Sequence, residues 1–342
     1  MSLRMPEVWS LPSPGQFLAE AELSVVRGGA VLSLDASTPP GLPTELSRRF
    51  QNTHSIYRLQ PPSGAAPLPI LADLFSCGGA LGDLVANLDC LLIIDACDLC
   101  AADLEAWNVF LGRFRREWEL AGDGLAILFL GPTGFAVKGF TQIDWAGRTK
   151  RIDVMIWAEF HVPSGRSVLF QDLAVNLAVE LCGWRLDLVA DLVTQREEDI
   201  LAPQGWLRRN ADLGINFEGN YGTRVFHCPV HLHSLGETKE IALRTWRAQL
   251  STLFPWIEEH RLRIIDRYRK LLRIDDHLRK LQVNEVENIE LGALRHQLRS
   301  HLPRSELEHI EVLAMMRNDL AHRKPIEPQH FRRALDISNT LR

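Results

Sequence analysis

Three short runs, Ala30–Leu34 (AVLSL), Cys90–Ile94 (CLLII) and Leu125–Leu130 (LAILFL), are apolar at almost every position. A strand with one face in water alternates apolar and polar residues, so runs without alternation need cover on both faces. Leu68–Leu88 and Asp103–Leu120 lie between them with helical spacing, and Ile56–Leu59 and Val154–Val162 read as further strands. Strands alternating with helices predict an α/β body over residues 1–163, built on a mostly parallel sheet with helices on both faces.

Within that body, Leu91–Asp95 (LLIID) is four aliphatic residues closed by an acid. It resembles the Walker B strand of P-loop NTPases, and Leu125–Leu130 would be the next strand. The resemblance stops at the first strand, which continues as LDASTPPGLPTEL without Gly-Lys-Ser/Thr. No lysine reaches β/γ-phosphates there, no paired hydroxyl holds Mg²⁺, and Pro39, Pro40 and Pro43 remove backbone donors. The expectation is a degenerate P-loop-like body that does not hydrolyse ATP, a scaffold or sensor. Asp95 has a second reading as a strand-end carboxylate that caps a loop.

Residues 164–236 form a middle segment. Val168–Val193 is a strongly apolar helical stretch broken near Gly183, Arg196–Arg209 is charged, and Ile215–His233 holds Gly219, Tyr221 and Gly222 between strand-like pieces. Helices followed by a hairpin admit a winged-helix-like reading, with Arg208 and Arg209 against a nucleic-acid backbone. A plain helical or α+β segment, with Trp184 and Trp206 in its core, is the other. Two groups have metal-ligand residue types. Cys97 and Cys100 form a C-x2-C without a second one to complete a site. His227, His231 and His233 would share one face of an extended strand, although Pro229 interrupts it. No metal and no cofactor is assigned.

Residues 237–342 carry four helical segments, Lys239–Leu272 (interrupted at Pro255), Glu285–Leu302, Ser305–His322 and Pro328–Leu341, which predict an all-α four-helix bundle. Charge separates this part from the rest. The chain has 38 basic and 43 acidic residues, a net −5; from Thr238 onward 20 basic face 15 acidic, a net +5, which leaves −10 for the remainder. A basic helical module on an acidic body suits contact with RNA, while a solvated Arg-rich bundle is the plainer alternative. No apolar run reaches transmembrane length, the N-terminus has no signal-peptide core, and the six cysteines sit in mostly apolar settings. A cytoplasmic protein without membrane contact is expected.

Arg-x4-His occurs three times, as Arg49/His54, Arg304/His309 and Arg317/His322. Only the third has a small polar residue after the arginine, an apolar helix leading in and a proline, Pro325, just beyond. That stretch, RNDLAH, resembles the signature of the HEPN family: Arg, then Asn, Asp or His, three residues, then His. The resemblance covers about the last 100 residues. It implies a metal-independent RNA endonuclease that works as a dimer, with Arg317 neutralising the scissile phosphate, His322 as general acid or base and Asn318 orienting one of them. Arg323, Lys324, Arg332 and Arg333 would line the RNA path. Family members that only bind nucleotides, nucleic acid or proteins define the alternative, a non-catalytic adaptor or sensor scaffold. A nuclease module on a degenerate body is similar to regulated toxins and phage-defence effectors, held silent by a signal or a regulatory partner protein. For that chemistry both Arg317 and His322 must be reachable rather than locked onto carboxylates.

Overall fold

The computed structural model describes residues 7–213 and 218–340, with the side chains of 337–340 left aside. The chain divides into two compact units: one reaches Trp157 and includes 218–226, the other takes 158–217 and 227 onward. This division differs from the three segments 1–163, 164–236 and 237–342.

The first unit runs α1 (Pro12–Val25), β1 (Gly29–Leu34), α2 (Leu42–Phe50), β2 (Ser55–Leu59), α3 (Pro67–Phe75), α4 (Leu81–Val85), β3 (Cys90–Asp95), α5 (Ala101–Ala121), β4 (Ala126–Pro132), β5 (Thr141–Asp144) and α6 (Arg151–His161), within which the division falls. The five strands form one sheet in the order β2-β3-β4-β1-β5, all parallel. Alternate residues of each strand feed two cores. Ala30, Leu32, Leu91, Ile93, Leu128 and Leu130 pack with Phe17, Leu46 and Trp145 on one face. Val31, Leu92, Ile94, Ile127 and Phe129 pack with Leu71, Trp107 and Phe114 on the other. The doubly covered parallel sheet expected from the apolar runs is present.

Two elements differ from expectation. Residues 154–161 belong to helix α6 and Val162 to the bend after it, not to a strand. Asp153 accepts the Lys150 N–H at 2.8 Å, which caps the first turn, and its other oxygen takes the Ser13 N–H. Val154 and Ala158 are then buried one turn apart. The fifth strand is instead β5, in which only Ile143 is buried. The stretch Leu68–Leu88 is two helices, broken where Ser76 takes a left-handed φ of 49°.

A hairpin, β6 (Glu218–Tyr221) and β7 (Arg224–His227), belongs through 218–226 to this sheet unit. Asn220 donates to Asp35 Oδ2 at 2.9 Å, and the Gly222 N–H donates to the Thr149 carbonyl at 3.0 Å. The hairpin that the winged-helix-like reading joins to the preceding helices is grouped with the sheet, and those helices fall in the other unit.

The second unit is helical: α7 (Val168–Cys182), α8 (Leu186–Val193), α9 (Glu197–Leu201), α10 (Gln204–Arg209), α11 (Pro229–Ser234), α12 (Thr238–Tyr268), α13 (Asp276–Lys280), α14 (Leu291–Leu298), α15 (Arg304–Ala321) and α16 (Pro328–Thr340). Leu341 of the expected last helix lies outside the described residues. Helix α15 packs on α12, α14 and α16, and the most extensive partner of α12 is α7, from the segment expected to stand apart. Trp184 and Trp206 are buried core, as expected. Pro255 does not interrupt α12. The carbonyl of Ser251, which loses its donor, lies with Pro255 on the exposed face where water can satisfy it.

Candidate functional site

Helix α15 buries Ile310, Leu313, Met316 and Leu320 in the helical unit and brings its last turn to the surface. The end is built by main-chain bonds. His322 is the C-cap, the Arg323 N–H donates to the Leu320 carbonyl at 3.2 Å, and the Lys324 N–H donates to the Asp319 carbonyl at 2.9 Å. This is a Schellman motif, in which the residue after the cap is left-handed and usually glycine. Here it is Arg323, with φ +58°. From α12, Trp246 Nε1 donates to the Leu320 carbonyl at 2.7 Å and pins the same turn.

Asn318, His322, Arg323 and Lys324 are exposed, and their side chains have no hydrogen bond or ion pair among the described residues. Asn318 and His322 are four apart and so share one side of α15. Arg317 leaves the helix about 140° away from His322. Its Nη2 donates to Glu290 Oε1 at 2.6 Å, and its Nε lies 3.6 Å from Glu258 Oε1. The guanidinium expected to be open to phosphate is held between two carboxylates. Arg332 pairs with Glu198 at 2.9 Å and Arg333 pairs with Glu308. The fold thus gathers Asn318, His322, Arg323 and Lys324 into one open tip and gives the other three arginines acidic partners.

Glu258 and Glu290 had no signal as site residues. Each reads as an ordinary surface carboxylate, and only the packing of α12 and α14 on α15 delivers them to Arg317.

The left-handed Arg323 supplies a test. A side chain in this conformation costs roughly 1–2 kcal/mol, partly offset in an arginine-to-glycine change by the greater freedom of the unfolded glycine. Arg323→Gly is expected to raise stability by about 0.5–1 kcal/mol in urea unfolding. Loss of RNA affinity in the same variant would mark the strain as serving a contact.

The other two Arg-x4-His occurrences are structural. Arg49 pairs with Glu22 at 2.8 Å. His309 is 4% exposed, and its Nδ1 has no hydrogen-bond partner among the described residues. Burial lowers its pKa from the ordinary 6.5, against a smaller opposing effect of Glu306. The unfolded chain then binds the proton more readily, so stability falls as pH drops below about 6.5. Urea midpoints are expected to decline from pH 7.5 to 5.5, and less steeply in His309→Gln.

The metal-like groups come apart. Pro229 opens helix α11, so His231 and His233 lie on nearly opposite sides of a helix rather than on one strand face. Burial and the neighbouring Asp95 push the Cys97 thiol up to about 12, far from a ligating thiolate. Among the described residues no group of three or more His, Cys, Asp or Glu side chains gathers as a metal site. All six cysteines are free thiols. Arg209 is paired with Asp199 at 2.8 Å.

In the sheet unit, Asp95 ends β3 and, with Arg58 and Gln60, lines a cleft of about 260 Å³. The loop after β1 is closed by its own side chains. Asp35 accepts from the Ser37 N–H at 2.8 Å and from the Ser37 hydroxyl, and that hydroxyl accepts from Trp145 Nε1 at 3.1 Å. A carboxylate therefore takes main-chain and side-chain donors at the turn where a phosphate-binding loop would offer them to an anion.

The chain matches no family model, no curated protein and no solved structure. Among the described residues, no helix is long and apolar enough to cross a membrane.

Proposed function

We propose that the C-terminal helices form a metal-independent RNA endonuclease of the HEPN type, acting as a dimer in a regulated toxin or phage-defence effector. One observation carries this reading: at the end of α15 stands an exposed imidazole without a partner among the described residues, with Asn318 one turn before it and Arg323 and Lys324, likewise unpaired among those residues, directly after it. In the proposed reaction the ribose 2′-hydroxyl loses its proton and attacks phosphorus. The 5′-oxygen gains a proton and leaves, and a 2′,3′-cyclic phosphate remains. His322 supplies one of the two proton transfers, Asn318 orients it, and a guanidinium neutralises the phosphate. Because Arg317 and His322 leave one helix about 140° apart, a second copy facing the first supplies the complementary group.

The sheet unit, on this reading, is a degenerate P-loop-like platform without nucleotide hydrolysis. Its support is the acid-ended β3 together with the β1–α2 loop closed around Asp35.

A second reading is favoured by the two carboxylates on Arg317: a non-catalytic scaffold that binds RNA, nucleotide or a partner protein through the same tip. Incubation of the full chain with RNA in EDTA separates the two. The nuclease nicks RNA and leaves cyclic-phosphate ends; the scaffold leaves it intact.

A further inference from the structure

We infer that Glu290 is the exchangeable counter-ion of Arg317, a carboxylate that an RNA phosphate must displace, while Glu258 stays and aims the guanidinium. This rests on the proposed contact between the α15 tip and RNA. The two glutamates are held differently. Glu258 is 27% exposed, and its Oε2 accepts from Arg261 Nε at 2.8 Å. Arg261 is itself 12% exposed and also donates to the Ile289 carbonyl at 3.0 Å. Glu258 is therefore fixed in a network on α12. Glu290 is 54% exposed and touches Arg317 through one oxygen. It occupies the N-cap position of α14 without making a side-chain capping bond, so its carboxylate can swing into solvent without loss to that helix.

The contacts fall on different parts of the guanidinium. Glu258 lies by Nε, which is buried and, among the described residues, lacks a hydrogen bond, as does the facing Glu258 Oε1. Glu290 lies on Nη2, and Nη1 has no hydrogen-bond partner among the described residues. With Glu290 gone, Nη1 and Nη2 form the parallel pair of donors that phosphate accepts bidentately, and Glu258 remains at the Nε side. An exposed single-oxygen pair is weak enough for a charged substrate to replace.

The test is fluorescence anisotropy with a labelled 2′-O-methyl RNA oligonucleotide, which cannot be cleaved through its ribose hydroxyl, and the full-length chain. Glu290→Gln is expected to tighten binding about five-fold, the upper range for an exposed pair. Glu311→Gln serves as control: it removes the same charge from α15, where Glu311 pairs with Arg295 at 3.1 Å. It should change binding less than two-fold. The gain should vanish when Glu290→Gln is combined with Arg317→Ala. Glu290→Gln binding no tighter than Glu311→Gln, or a gain that survives Arg317→Ala, overturns the inference. Cleavage is scored separately on unmodified RNA in EDTA. A tightened but uncleaved RNA retains the counter-ion role and removes the nuclease; cleavage without tightening does the reverse.

Discussion

Replacing His322 by alanine is expected to lower RNA cleavage in EDTA by about 10²- to 10⁴-fold, the usual contribution of a positioned general acid or base. The fold should be unchanged, because the imidazole is exposed and only the His322 main chain takes part in the helix end, donating to the Asn318 carbonyl at 3.0 Å. His322 is thus a cleaner probe than Arg317. Arg317→Ala would strip Glu258 and Glu290 of a shared cation and confound activity with stability. The measurement is the single-turnover rate on a labelled RNA, with the thermal midpoint read in parallel. Equal cleavage by wild type and His322→Ala would remove the histidine from the chemistry, and intact RNA with both would leave the scaffold.

The largest effect on stability is expected in the sheet. Gly29 opens β1 with φ +116°, and a Cβ built there would lie 1.8 Å from the Ile127 carbonyl oxygen on β4. That obstacle is main chain in the middle of the sheet, where Gly29 is paired with Ile127, and it cannot move without parting the strands. Gly29→Ala is expected to cost about 4 kcal/mol or to prevent folding. Gly41→Ala provides the comparison. Its φ is +84°, but a Cβ there meets nothing within 4 Å, so only the cost of a left-handed alanine, about 1 kcal/mol, should appear. Urea midpoints of both variants separate collision from backbone preference. Equal losses would show that the close approach to Ile127 is not limiting.

The sheet was legible where burial is two-sided. Strands β1, β3 and β4 are apolar because both of their faces meet a core, and that leaves an unbroken run in the sequence. Strand β5 left no such trace, since Ile143 alone is buried. Helix α6 misled because Val154, Ile156 and Trp157 look like a strand until Asp153 is seen to cap their first turn. The same limit applies to the site. The end of α15 could be placed from its spacing and the following Pro325, so the free tip was foreseeable. The state of Arg317 was not, because it depends on a glutamate 27 residues away that arrives only through tertiary packing.

The assignment of the hairpin to the sheet unit bears on how this protein can be taken apart. The chain crosses the division after Trp157, returns for Glu218–Phe226 and crosses again at His227. A truncation starting at Ala158 would carry β6 and β7 away from the Asp35 and Thr149 groups that satisfy them. A single proteolytic nick would likewise leave the pieces joined through that hairpin. Neither half is a cassette to be cut free at one point, because the backbone passes between the two units three times.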